Sequence, residues 1–179
     1  MANIMKKIAV ITFVMTICFS ILFQVTKNEI MIPFAVTFGT IDYHFIIRLV
    51  VGTLYDAIMK NKADYTKKWY CVDDFEMKLY QKLRVKKWKD KLPTYDMDVF
   101  DVSKHSWDEI LQATCQSELV HETNVIISFV PLISSLWFGS FGVFLITSIL
   151  SAAFDMVFVI MQRFNRSQIL KMKEKRIKI

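Results

Sequence analysis

Four long apolar blocks, separated by charged segments, constrain the fold of this chain more than any other feature of the sequence. They lie at about 8–24, 30–58, 118–138 and 140–162. A helix needs ~20 residues to cross the hydrocarbon core of a bilayer, and each block can supply about that length. Glycine and proline are scarce, with four and three copies, which favours long helices with few turns. The sequence therefore predicts an all-α integral membrane protein with four transmembrane helices, formed by residues 1–179 as a single membrane domain.

The first block could be a retained span or a secretory signal peptide, because Lys6 and Lys7 precede it. A signal peptide ends at a cleavage site flanked by small residues. The residues at the end of this block and just after it are Gln24, Val25 and Thr26, which do not form such a site. We therefore expect the first block to be retained as a transmembrane helix.

Lysine and arginine are distributed unevenly between the segments that connect the blocks. Most of the 23 copies lie in the segment 60–114 and in the tail 163–179. With four spans these two segments face the same side of the membrane, and the opposite side carries Lys27 as its single basic residue. Basic residues accumulate on the cytoplasmic side of membrane proteins. We therefore predict a multi-pass protein whose termini and 60–114 segment are cytoplasmic.

A basic amphipathic stretch is predicted within the segment between the second and third blocks. Phe75, Leu79, Leu83 and Trp88 recur near helical spacing, with lysines on the remaining faces. Such a stretch, ended by Pro93, is expected to lie along the membrane interface against anionic headgroups. It could serve only to anchor the fold. It could also dock an acidic partner such as an acyl carrier protein or the phosphates of coenzyme A.

A helix start is predicted shortly before the third block. Ser106 and Glu109 are three residues apart and form the S-x-x-E pattern of a capping box. We expect Ser106 to be the N-cap of a helix that runs into the third block.

Ionisable side chains within a span are costly unless they face the bundle interior and find partners, so each is a functional candidate. In the second block His44, Arg48, Gly52 and Asp56 are four residues apart and share one helix face. Gly52 is expected to let a neighbouring helix approach closely. Arg48 lies near mid-span and needs a counter-ion, for which Asp155 in the fourth block is the obvious candidate. The pair could bind substrate, or it could be a structural salt bridge.

Three ionisable residues lie where the third block enters the membrane. Glu118, His121 and Glu122 are at i, i+3 and i+4, so they point the same way. A carboxylate one turn from a histidine fixes its tautomer and raises its basicity, as a general base requires. The trio could also be a structural polar network, or half of a di-metal site with His44 as an extra ligand. The sequence contains no nucleophile elbow, phosphate-binding glycine loop or nucleic-acid motif, and we expect no nucleic-acid partner.

Three separated segments carry a resemblance to a known family. KLRVKKWKDKLP at 82–93, TCQSELVHE at 114–122 and VIMQRFNRSQI at 159–169 resemble, in order and spacing, the glycosyl-4,4′-diaponeurosporenoate acyltransferase family. The resemblance covers about 82–170. The chain departs from the family pattern in having Asp155 in place of an asparagine and Glu122 in place of a tryptophan. It also has Ser167 and Gln168 in place of Pro-Arg.

The resemblance implies an acyltransferase of a bacterial-type cell membrane. Members of this family esterify the 6-hydroxyl of a glucosyl group with a fatty acyl chain, and the namesake acts on a glycosyl carotenoid. The implied partners are membrane lipids, an acyl donor such as acyl-CoA or acyl carrier protein, and an amphiphilic glycolipid acceptor. No cofactor is implied.

A catalytic assignment follows from combining the resemblance with the local pattern. We expect His121 to take the proton of the acceptor hydroxyl with Glu118 orienting it and Glu122 close by. Donors to an acyl oxyanion could be Arg163, Asn165 or Arg48. The predicted substrate-binding residues are His44, Arg48, Asp155, Gln162, Arg163, Asn165, Arg166 and Trp88, and no metal ligand is predicted.

Two other classes remain open at this stage. Buried polar pairs in a small four-helix membrane protein would also suit a non-enzymatic accessory or assembly protein. A metal-dependent membrane lipid enzyme is the second alternative. A transporter is disfavoured because the spans show no inverted repeat.

Overall fold

The computed structural model describes residues 2–93 and 98–177, and within these ranges every regular element is helical. The helices are α1 Ala2–Thr26, α2 Met31–Met59, α3 Asp74–Lys82, α4 Val85–Trp88, α5 Trp107–Ile127, α6 Pro131–Phe138 and α7 Phe141–Ile177. Short 3-10 turns occur at Lys68–Tyr70, Lys89–Lys91 and Asp98–Phe100. The predicted all-α class is confirmed. Residues 94–97 of the predicted basic segment and 178–179 of the tail lie outside the described residues.

Four helical segments of the described chain are long and apolar enough to span a membrane. They are Asn3–Thr26, Met31–Met59, Trp107–Phe138 and Phe141–Lys175, which confirms the predicted number of spans. The third segment begins before the predicted boundary at residue 118, and the fourth segment ends beyond the predicted boundary at residue 162. This difference arises because helical backbone bonds continue through polar sequence, whereas the prediction followed hydropathy. The cytoplasmic orientation of the termini stays a prediction.

The predicted capping box at the start of α5 is confirmed. The Ser106 N–H donates to Glu109 Oε2 over 2.7 Å, and the Glu109 N–H donates to Ser106 Oγ over 3.3 Å. Each residue thus satisfies a backbone donor of the other, as the pattern requires.

The third span is interrupted between α5 and α6, and Pro131 at the start of α6 explains the break. Proline has no N–H to donate to the carbonyl four residues earlier, which here belongs to Ile127. That carbonyl instead accepts from the Val130 N–H over 3.0 Å and from the Tyr43 hydroxyl over 3.1 Å. A side chain of α2 therefore satisfies a backbone group that would be costly to leave unpaired within a membrane.

The close helix approach in the described chain occurs at a different glycine from the predicted one. A Cβ added at Gly52 would meet no atom within 4 Å, so the predicted close contact there is wrong. A Cβ added at Gly39 would lie 3.4 Å from Thr16 Cγ2. The small residue that matters for packing α2 against α1 is therefore Gly39.

The predicted amphipathic stretch is not a single helix. Asp73 caps α3 by accepting from the Glu76 N–H over 2.7 Å. The helix ends after Lys82, and Arg84 adopts a left-handed conformation with φ of 53° before α4 begins. A periodic apolar pattern does not reveal such a break, because it lies in the backbone conformation of one residue.

The break changes which side chains of this stretch are buried. Tyr80 and Val85 are buried against Phe164 of α7, and Trp88 packs against the same cluster. Phe75 is 75% exposed, and Leu79 and Leu83 on the same stripe are exposed too. The face formed by Phe75, Leu79 and Leu83 is thus exposed, whereas Trp88 is half-buried against the cluster of Tyr80, Val85 and Phe164.

The described residues group into two units by their contacts. We call residues 53–122 and 156–177, apart from 94–97, the charged unit, and residues 2–52 and 123–155 the apolar unit. The helices α2, α5 and α7 each contribute residues to both. The predicted single membrane domain stays a prediction.

Candidate active site

A fully buried carboxylate, Glu118, lies at the centre of an ionic cluster in the charged unit. Its Oε1 accepts from Arg163 Nη1 over 2.5 Å, and its Oε2 accepts from Arg166 Nη2. Arg163 is also paired with Glu76 of α3 at 2.9 Å. We call Glu76, Glu118, Arg163 and Arg166 the carboxylate–arginine cluster. Two buried carboxylate oxygens facing two guanidinium groups form a charge-assisted arrangement of the strong kind.

The two arginines of the cluster also bind backbone carbonyls in and just after the 3-10 turn Lys68–Tyr70. Arg163 donates to the carbonyls of Trp69 and Cys71 over 2.9 and 3.0 Å. Arg166 donates to the carbonyl of Tyr70 over 3.0 Å, and its guanidinium lies 5.2 Å from the centre of the Tyr70 ring. Burial raises the pKa of the Tyr70 phenol, so that side chain stays neutral. Three consecutive carbonyls are therefore fixed to α7.

Arg163 has no N–H group left over for a substrate. A guanidinium carries five N–H donors. Nε and one Nη2 hydrogen serve Glu76, the other Nη2 hydrogen serves the Cys71 carbonyl, and the Nη1 hydrogens serve Glu118 and the Trp69 carbonyl. The predicted oxyanion role of Arg163 would require one of these bonds to break.

The predicted base, His121, is half-buried on α5. Its ring stacks on Phe158 of α7, with centroids 4.8 Å apart and an angle of 13° between the planes. Glu118, one turn earlier, is already paired with Arg163 and Arg166. The base role of His121 and the orienting role of Glu118 stay predictions.

The third member of the predicted trio, Glu122, is half-buried and joins a different partner. Its Oε2 accepts from the indole N–H of Trp69 over 3.1 Å, and Trp69 is 64% exposed. The structure therefore adds an exposed aromatic side chain beside the trio. Trp69 could be suspected from the Trp-Tyr pair that precedes the basic stretch, but nothing in the sequence connects it to Glu122.

Two further predicted residues of α7, Gln162 and Asn165, also belong to the charged unit. Gln162 is buried and Asn165 is half-buried. Asp56, predicted to share a face with Arg48, accepts from Gln116 Nε2 over 2.6 Å in this unit.

Across residues 2–93 and 98–177 no three His, Cys, Asp or Glu side chains come together as a set that could hold a metal ion, so the donor set for the alternative metal site is not assembled there.

A second polar cluster occupies the apolar unit, and it contains the predicted pair. Arg48 Nη2 lies 2.6 Å from Asp155 Oδ2, and both side chains are largely or fully buried. Arg48 also donates to Ser151 Oγ over 2.8 Å, and Ser151 Oγ lies 3.0 Å from His44 Nδ1. The predicted Arg48–Asp155 salt bridge is confirmed. Ser151 was missed because a serine in an apolar block gives no distinguishing signal.

The apolar unit also contains a partly open cavity of about 520 Å³. Its walls come from α1, α2, α6 and α7 and from the residues between α5 and α6, and they are largely apolar. Representative lining residues are Phe23, Ala35, Thr40, Tyr43, Val130 and Phe144. The volume lies within the ~300–1,000 Å³ that is usual for small-ligand pockets.

The fold and these clusters define an all-α membrane protein with a buried ionic cluster at the α5–α7 contact and a polar centre within its apolar unit. Residues 66–175 match the model of the CrtO family, described as glycosyl-4,4′-diaponeurosporenoate acyltransferase. This match covers well over half of the chain, so the chain belongs to that family, and the resemblance noted in the sequence is confirmed. Searches of curated proteins and of solved structures found no match.

Proposed function

We propose that the protein is a membrane acyltransferase that transfers a fatty acyl group to a hydroxyl of an amphiphilic glycolipid. Family membership supports acyl transfer. The glycolipid acceptor follows from the family description, which names a glycosyl carotenoid compound. A donor such as acyl-CoA or acyl carrier protein would supply the acyl group as a thioester.

The observation that carries the proposal is the half-buried imidazole of His121 on α5, within the matched region. Within the carboxylate–arginine cluster, the two carboxylates and the two guanidinium groups already balance one another in charge. Histidine is the side chain best suited to accept and return a proton near neutral pH. Stacking on Phe158 holds the plane of the ring, which restricts the direction in which it can accept that proton.

In the proposed reaction the acceptor hydroxyl oxygen attacks the carbonyl carbon of the thioester. Its proton passes to His121, a new carbon–oxygen ester bond forms and the carbon–sulfur bond breaks. The thiolate then leaves and takes up the proton from His121. Because Arg163 has no N–H to spare, we assign stabilisation of the oxyanion to the half-buried Asn165 amide.

The substitution of the family tryptophan by Glu122 suggests how this chain recognises its acceptor. Glu122 is bonded to the exposed indole of Trp69. A carboxylate can accept hydrogen bonds from sugar hydroxyls, and an exposed aromatic face offers an apolar surface for a sugar ring. We propose that Trp69 and Glu122 contact the glycosyl group.

The experiment that tests the function compares membrane lipids of a deletion strain complemented with three forms of the protein. The forms are wild type, His121→Gln and the matched control His105→Gln, which alters a histidine of the loop before α5. We expect deletion membranes to accumulate an unacylated glycolipid, and the wild type and the control to restore the acylated product. We expect His121→Gln to fail although it is inserted at the same level.

Two outcomes would count against the proposal. If His121→Gln restores acylation to within a few-fold of wild type, His121 is not the base. If deletion removes another membrane protein and leaves no unacylated lipid, the chain acts as an accessory or assembly protein.

A further inference from the structure

Four hydrogen bonds meet at two serines in the apolar unit. Ser151 Oγ lies 2.8 Å from Arg48 Nη2 and 3.0 Å from His44 Nδ1. It also lies 2.9 Å from Ser128 Oγ. Ser128 Oγ is in turn 2.7 Å from the backbone carbonyl of Asn124. The available hydrogens decide the direction of each bond.

Each serine hydroxyl has one hydrogen to donate. The Asn124 carbonyl can only accept, so the hydrogen of Ser128 points there. The bond between the serines must then use the hydrogen of Ser151. Ser151 Oγ consequently accepts from Arg48 and from His44, which requires a hydrogen on His44 Nδ1. The opposite tautomer would lose one of the four bonds.

This assignment leaves His44 as a neutral imidazole with a lone pair on Nε2. His44 is buried, and Nε2 has no hydrogen-bond partner among the described residues. A second proton on Nε2 would place an imidazolium one turn from Arg48 and bury a charged N–H without an acceptor, which is costly. The Nε2 atom is therefore a buried acceptor that requires a donor.

Two further polar atoms of the same unit share this condition. Asn124 Oδ1 on α5 and Ser148 Oγ on α7 are buried without a partner in the described part of the chain. Ser148 lies one turn before Ser151, and Asn124 lies one turn before Ser128, so both flank the hydrogen-bonded serines. Unpaired polar groups of this kind in an apolar setting indicate a ligand that can hydrogen-bond.

The cavity gives such a ligand a place for an apolar tail. Thr40 lines the cavity and lies one turn from His44 on the same face of α2. Phe144 lines it too and lies one turn from Ser148 on α7. On both α2 and α7, a residue of the apolar wall thus lies one helical turn from a side chain with an unpaired polar atom.

We propose that the apolar unit contains a hydroxyl-binding site in which His44 Nε2 accepts the hydrogen of an O–H group. The ligand class is an amphiphilic alcohol with its tail in the cavity, and water offers the same O–H chemistry. The site goes beyond the proposed acyl transfer, because none of the bond-making or proton-transfer steps proposed above uses His44.

The first test is nitrogen NMR of the isotopically labelled full chain in lipid nanodiscs. The sequence has three histidines, so the double variant His105→Gln/His121→Gln leaves His44 as the single imidazole. We expect the neutral Nδ1–H tautomer with an Nε2 resonance shifted by an accepted hydrogen bond. An Nε2–H tautomer, an imidazolium, or an Nε2 with the shift of a free lone pair in every sample would overturn the proposal.

The second test identifies the source of the O–H group by titrating decanol and decyl methyl ether, which lacks an O–H. If the site takes an amphiphilic alcohol, decanol shifts the Nε2 resonance saturably and the ether does not. Ala35→Trp, which fills the cavity, should abolish that response, whereas Ala153→Trp on the exposed face of α7 should keep it. If water is the ligand, Nε2 is hydrogen-bonded in all samples and neither probe changes it.

These NMR readouts do not depend on enzymatic turnover, so they test the hydroxyl-binding site independently of the proposed acyl transfer. A wild-type protein that transfers no acyl group, together with a hydrogen-bonded Nε2 in the double variant, refutes the proposed function alone. A fully active wild type, together with an Nε2–H tautomer in the double variant, refutes the hydroxyl-binding site alone.

Discussion

Replacing Glu118 by glutamine perturbs the carboxylate–arginine cluster with almost no change of shape. The amide keeps one acceptor oxygen, but its NH₂ group then faces a guanidinium N–H, donor against donor. Glu118 and Arg166 are both fully buried, so water cannot replace the lost partner. One buried arginine is left without its counter-charge.

The magnitude follows from the burial. Removing one partner of a buried ion pair typically costs ~3–5 kcal/mol, because the remaining charge is uncompensated. The matched control is Glu76→Gln. Glu76 is partly exposed and Arg163 retains Glu118 in that variant, so the cost should stay near the ~0–1 kcal/mol of a surface ion pair.

The assay is unfolding of the purified protein in detergent by titration with a denaturing detergent. Tryptophan fluorescence is a suitable signal, because Trp69 is attached to the cluster through its carbonyl. We expect the unfolding free energy of Glu118→Gln to fall by ~3–5 kcal/mol relative to wild type and that of Glu76→Gln to fall by about 1 kcal/mol or less. A Glu118→Gln protein within 1 kcal/mol of wild type, or a control that is equally destabilised, would refute the reasoning.

Three further predictions concern other parts of the chain. Tyr43→Phe should lower the unfolding free energy by ~0.5–1.5 kcal/mol in the same titration, because the Ile127 carbonyl loses a donor; no change would show that another group replaces the hydroxyl. Replacing the lysines of 86–91 by glutamine should raise KM for the acyl donor with little change in kcat, as steady-state kinetics with purified donor would show; a fall in kcat alone would contradict a docking role. A cysteine placed at Ser140, in a chain without its native cysteines, should react with an impermeant reagent added outside cells and one at Ser103 should not, whereas the reverse would overturn the predicted orientation.

The number of spans and the Arg48–Asp155 pair could be predicted because both follow from the membrane environment. Lipid demands long apolar helices, and it demands a counter-ion for a charge at mid-span. Each of these requirements can be recognised in the type of one residue or one block. Neither prediction required knowledge of how the helices pack.

The partners of Glu118 could not be predicted for the opposite reason. The helical i, i+3 and i+4 rule identifies only neighbours on the same helix, and here it pointed to His121. The actual arginine partners lie on α7 and the chain contains many other basic residues. Three acceptors of the cluster are backbone carbonyls at 69–71, which every residue possesses and no sequence pattern marks.

The break after α3 was equally hidden. It depends on the left-handed conformation of Arg84, a residue type that gives no signal for such a conformation. The pattern of Phe75, Leu79 and Leu83 correctly described one face, but the extension of that face to Trp88 was wrong. Sequence periodicity therefore described the helix and failed at its end.

The 3-10 turn Lys68–Tyr70 and the following Cys71 are held to α7 through backbone carbonyls. The two sides of this contact should therefore tolerate substitution to different degrees. On the turn, a carbonyl is present whatever the side chain, so Cys71 can change without loss of its bond to Arg163. On α7 the contact depends on the guanidinium groups of Arg163 and Arg166, and all five N–H donors of Arg163 are engaged. A lysine at Arg163 would keep the charge but has only three donors, so it would leave at least two acceptors unpaired. Substitutions should therefore accumulate at position 71, while position 163 should be held to arginine.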